Sequence, residues 1–167
     1  SDQGRWKYLR GSAPNGDWLN NGVAVDTGVN VVANRWTHIS LVLTASQTLF
    51  YVNGQLAHST DRPDSGSSST VPYMGIGSWF PSTNSVDQQW IFDGQVDEVK
   101  IWNTNRSATI ASDMHARQIG TAGLAHYWDF NEGSGATIHD RVGGINLQST
   151  SSGVFSDVKQ TSSASGG

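Results

Sequence analysis

Arg35 to His58, RWTHISLVLTASQTLFYVNGQLAH, holds two apolar runs separated by a short polar break and closed by an Asn53-Gly54 pair. In the first run the odd positions Ile39, Leu41 and Leu43 are aliphatic, and the even positions include Trp36, His38 and Val42. Side chains alternate faces along a strand, so both faces carry apolar bulk and neither is expected to be fully wet. Thr44 to Gln47 interrupts with small polar residues. Leu49 to Val52 resumes with aromatic and β-branched types, which suit a pleated surface. Asn-Gly supplies two residues that tolerate positive φ, as a two-residue type I′ turn requires. Residues 55–59 should then return antiparallel to 49–53. The stretch predicts a β-meander.

The composition agrees. Among 167 residues, charged types are only 14%, while seven tryptophans and nineteen glycines are present. Low charge with abundant Gly, Ser, Thr and Asn suits short strands and many turns rather than helices. A net charge of −4 gives no footprint for nucleic acid or for an anionic membrane surface. No apolar run approaches the roughly 20 residues of a helical membrane span. The absence of cysteine excludes disulfides and thiolate metal sites and leaves the redox compartment open. One N-glycosylation sequon is present, Asn105-Arg106-Ser107, against a background in which such tripeptides also arise by chance.

Outward from the meander, residues 5–10 (RWKYLR) read as a half-exposed strand. Residues 11–16 read as a turn, and 17–25 as a strand interrupted at Asn20-Asn21-Gly22. Asp26-Thr27-Gly28 is a further break. Residues 61–70 form a polar loop, 71–78 a strand with two glycines, and 79–89 a long loop. Residues 95–103 (QVDEVKIWN) are expected to be a strand with Asp97, Val99 and Ile101 on one face. Residues 107–118 predict a helix capped by Ser107, with Ala108, Ile110, Ala111 and Met114 as its apolar stripe. Residues 124–130 are a further strand, and short strands are expected at 136–139 and 145–147. The chain is read as one domain over 1–160, followed by a Ser/Gly-rich tail at 161–167.

Three segments together resemble the laminin G-like / concanavalin A-like lectin family. RWTHISLVL and LFYVNGQL are similar to its W-x-H-[VI]-[AS] strand and its YVNG hairpin. FDGQVDEVKIWN followed by RSATI resembles its F-x-G-x-[IV]-DEV segment. GLAHYWDFNEGSGATIHD resembles its GL-x-x-YW-x-F-[DN]-EGSG segment. The resemblance implies an all-β, concanavalin A-like jelly-roll sandwich of two antiparallel sheets with one short helix. It places Trp36, Trp102 and Trp128 in the core. Family domains usually open with strands that have no counterpart here. The expectation is therefore a domain incomplete at its N-terminal side, completed by a neighbouring domain or chain, with an open edge or flank.

Chemistry concentrates in few places. Asp93, Asp97 and Glu98 form the tightest acidic group. One reading is structural Ca2+ held by Asp97 with help from Asp140, which matches a family aspartate, plus carbonyls and waters. The alternative is that Asp97 accepts backbone N–H bonds and Glu98 is solvated. Enzyme activity is not expected. Glycosidases need two carboxyls about 5–9 Å apart, and the chain has only two glutamates, Glu98 and Glu132, with no E-x-D-x-x-E strand. The five histidines form no metal motif, and His38 and His126 read as hydrogen-bonded core members. Trp18, Trp79, Phe80 and Trp90 lie at strand ends or in loops beside amides and Asp. They are either sugar-stacking platforms or covers for the ends of the sandwich. The expected function is noncatalytic carbohydrate binding at the cell surface or outside the cell. The alternative is an adhesion module whose partner is a protein.

Overall fold

The computed structural model describes residues 4–10, 23–61, 76–82, 85–116 and 121–149, and gives only the backbone of 9, 10, 23, 24, 78–82 and 85–91. Trp18, the turn at 11–16, the polar loop beyond Asp61 and the Ser/Gly tail lie outside the described residues. The protein is all-β and antiparallel. In order come β1 (Arg5–Arg10), β2 (Val23–Asn30), β3 (Ile39–Leu43), β4 (Gln47–Val52), β5 (Gln55–Asp61), β6 (Ser78–Ser82), β7 (Ser85–Ile91) and β8 (Val99–Trp102). A one-turn helix α1 (Ile110–Asp113) follows, then β9 (Leu124–Trp128), β10 (Thr137–Ile138) and β11 (Leu147–Gln148). The chain divides into two compact units, Ser1–Thr70 with Asn105–Arg117 and Val71–Thr104 with Gln118–Gly167.

The first unit is built on the meander. β3, β4 and β5 form one antiparallel sheet with Ile39 opposite Val52 and Leu43 opposite Thr48. The turn is the expected one: Asn53 and Gly54 have φ of 49° and 76°, which Asn and Gly tolerate. The Asn53 carboxamide fixes the turn by accepting the His38 N–H at 2.9 Å. On one face of β4, Phe50 and Val52 bury against β1, with the Tyr8 ring stacked on Phe50 at 5.4 Å. On the other, Tyr51 and Val42 bury against Ile110 of α1. β4 is therefore sandwiched, as its apolar run demands.

Three readings of this unit need correction. β2 continues through Asp26–Gly28 instead of breaking there. The Thr27 hydroxyl donates to the Trp6 carbonyl at 2.7 Å, and the Gly28 N–H donates to Asp26 at 2.8 Å, so the polar residues serve the strand. That N–H and Arg5 hold the Asp26 carboxyl below its ordinary value. The odd-numbered face of β3 is partly exposed: Ile39, Leu41 and Leu43 are 36%, 48% and 58% exposed, and β3 has β4 as its sole strand neighbour among the described residues. Trp36 is 42% exposed and so is not a core ring. The helix spans four residues, capped at Thr109 and not Ser107, and no side-chain hydrogen bond closes the cap. Thr109 instead joins Arg106 on the Asp113 carboxylate, at 2.6 Å and 2.5 Å.

Among the described residues the second unit holds three strand pairs: β6 with β7, β8 with β9 and β10 with β11. Residues 79–82 and 85–89 are not loop but belong to the antiparallel pair β6–β7, with Ser78 opposite Ile91 and Ser82 opposite Ser85. β8 begins only at Val99, because Glu98 takes a left-handed backbone (φ 56°) and the Asp97 carboxylate accepts the Glu98 N–H at 2.8 Å. Strand alternation therefore does not reach Asp97. Trp128 is a core ring, fully buried, while Trp102 is half-buried. The last strand falls at Leu147–Gln148, two residues later than the sequence suggested.

Candidate functional site

β8 and β9 pair Lys100 with Tyr127, Ile101 with His126 and Val99 with Trp128. Cross-strand partners share a face, so two different clusters form on the two sides of one ribbon. On the Tyr127 side, the buried phenol donates to the Glu98 carboxylate at 2.8 Å. Lys100 donates to the same carboxylate at 3.0 Å and lies 5.1 Å from the centre of the Tyr127 ring. One phenol and one ammonium therefore engage Glu98, which is not merely solvated.

On the other side, His126 stacks on Trp128 with centroids 5.6 Å apart, and its Nδ1 lies 2.6 Å from Asp140. An ionised carboxylate only accepts, so Nδ1 carries the proton of this bond. The side chain of Asp140 is inaccessible to solvent. It accepts backbone N–H bonds from Tyr127, Val142, Gly143 and Ile145, each at 3.0 Å. Burial alone pushes this carboxyl up, but the N–H groups of Tyr127, Val142 and Gly143, with His126, outweigh it and hold the group far below the usual carboxylate range. The Trp128 indole N–H donates to the Ile145 carbonyl at 2.9 Å, so both polar backbone groups of Ile145 are gripped. Gly143 permits the close approach: a Cβ there would fall against Nδ1 of His126 and 2.5 Å from the Ala125 carbonyl.

The EGSG turn forms a third cluster. Glu132, 5% exposed, accepts the His139 N–H at 2.9 Å and an Arg141 N–H at 3.3 Å. Arg141 also reaches Asp129 at 2.9 Å and so bridges two carboxylates.

The residues proposed from sequence are distributed as follows. Trp79 and Phe80 lie in β6 and Trp90 in β7, with Trp79 and Trp90 next to the Ser78–Ile91 pair at one end of the hairpin. Asp97 serves the Glu98 N–H, and Asp140 serves its own loop. Among the described residues, no three His, Asp or Glu side chains stand together as a metal-holding group. Sequence reasoning missed the partnership of His126 with Asp140, and that of Tyr127 with Glu98. Tyr127 carries its signal in plain view: a phenol inside an apolar strand needs a hydrogen-bond partner.

A family model described as the concanavalin A-like lectin/glucanases superfamily matches residues 1–110. No curated relative matches the chain at a significant level. Among solved structures, the chain is similar to a protein from Bacteroides ovatus ATCC 8483 designated a candidate carbohydrate-binding protein, at a TM-score of 0.61 and 24% identity. The likeness covers 75% of this chain and 37% of that one, and at this identity it shows the fold.

Proposed function

Because the chain belongs to the concanavalin A-like lectin/glucanases superfamily, we propose that it is a noncatalytic carbohydrate-binding module acting outside the cell or at its surface. The observation that carries this reading is the β6–β7 hairpin, which joins Trp79, Phe80 and Trp90 in two paired strands. Flat aromatic rings stack on the C–H faces of sugars, and amide side chains bond to sugar hydroxyls; Gln88 and Gln89 precede Trp90 in the sequence. The chain's two glutamates argue against hydrolysis. Glu98 is engaged by Tyr127 and Lys100, and Glu132 by Arg141 and the His139 backbone, whereas a glycosidase pair must face a shared scissile bond. A glycan array followed by titration calorimetry tests the reading, with the Trp79→Ala and Trp90→Ala variants beside the native chain. Each assay is run with calcium and with chelator, which tests the Asp97 and Asp140 metal proposal at the same time. Absence of any glycan signal from the native chain refutes the reading.

The second reading, a module that binds protein, is favoured by β3. Its apolar side chains Ile39, Leu41 and Leu43 are exposed along a sheet edge, a form that invites strand addition by a partner or a neighbouring domain. Concentration-dependent assembly without glycan binding would select it.

A further inference from the structure

We propose that Asn105 is an acceptor of N-linked glycan, and that the loop following β8 presents it in a form an oligosaccharyltransferase can use directly. Asn105-Arg106-Ser107 is the chain's one sequon, and a sequon is usable only where its amide and hydroxyl are reachable. Asn105 is exposed. Its Oδ1 accepts the Ser107 N–H at 2.9 Å, which closes an Asx turn across the tripeptide. The turn is anchored from behind: the Thr109 N–H donates to the Arg106 carbonyl at 2.9 Å, and the Arg106 guanidinium is drawn onto Asp113 at 3.0 Å and 2.5 Å. The middle residue's long side chain is thereby held against the helix. Among the described residues, neither Nδ2 of Asn105 nor Oγ of Ser107 is hydrogen-bonded. The nucleophile and the hydroxyl that marks it are both free, two residues apart on a preformed bend.

The donor is a polyprenyl diphosphate-linked oligosaccharide. Nδ2 of Asn105 forms a bond to C1 of the first sugar as the bond from C1 to the phosphate oxygen breaks. The lipid diphosphate leaves with that electron pair, and the proton lost from Nδ2 passes to a carboxylate of the transferase.

The test uses the purified, folded chain with a single-subunit oligosaccharyltransferase and a lipid-linked oligosaccharide, read by intact mass and peptide mapping. The expected result is one glycan per chain at Asn105, removed by an N-glycosidase that leaves aspartate at that position. Asn105→Gln and Ser107→Ala abolish the mass shift while keeping the native circular dichroism and melting temperature, and Ser107→Thr retains it. Modification of a urea-unfolded sample but not of the folded one would overturn the proposal, because the observed turn would then not be the substrate form. Failure to modify either sample overturns it equally.

Discussion

Asp140 shows how much one side chain can organise. Its carboxylate closes a loop by accepting from four backbone N–H groups and His126, and hydrogen bonds to an ionised acceptor are the stronger kind. Asp140→Asn replaces the ionised acceptor by an amide with one oxygen, and is expected to destabilise the second unit by about 2–4 kcal/mol, measured by urea unfolding. The pH dependence has a definite sign. The folded carboxyl titrates below its unfolded value, so its contribution is complete above the ordinary carboxylate pKa of about 4 and is lost as pH falls from there toward the depressed folded value. Native protein should therefore lose stability below about pH 4 more steeply than Asp140→Asn. Equal slopes would show that the carboxylate is not the group concerned. Asp140 stood out in the sequence, but its partners did not. Four of them are backbone N–H groups, which every residue except proline carries, and no side-chain pattern announces those.

Elements were legible where side-chain period and turn chemistry agreed. The meander and its Asn53-Gly54 turn followed from alternation plus two residues suited to positive φ. That turn also carries a packing constraint invisible in sequence: a Cβ on Gly54 would lie 2.9 Å from the Ala111 backbone of α1. Gly54→Ala should therefore cost about 1–3 kcal/mol through strained φ and contact with the helix, read as a lowered denaturation midpoint. Reading failed where polar residues serve a strand without alternating. Residues 79–89 looked like a loop because Ser, Thr, Asn and Gln dominate them, yet 79–82 and 85–89 lie in paired strands. Residues 95–98 looked like a strand, but a carboxylate capturing the next N–H bends the chain at Glu98. At the open edge, Leu41→Lys on β3 should change stability by no more than about 0.5 kcal/mol while suppressing self-association, followed by sedimentation at rising concentration.

At the scale of the whole molecule, the fold class could be read from three segments in order, and the family match confirms it. Trp79 and Trp90 were singled out from sequence as the proposed glycan contacts, whereas the Glu98 and Asp140 clusters arise from pairing that no single segment encodes. Replacing Trp79 or Trp90 by Ala is expected to weaken glycan affinity at least tenfold, since loss of one stacked ring costs about 1.5 kcal/mol or more. Thermal melting of both variants separates that loss from unfolding. The Asp140 cage has a kinetic corollary. Amides 127, 142, 143 and 145 share one acceptor, so they should not trade protons with solvent independently. In deuterated buffer the four should label at one common rate, set by a single opening of the loop.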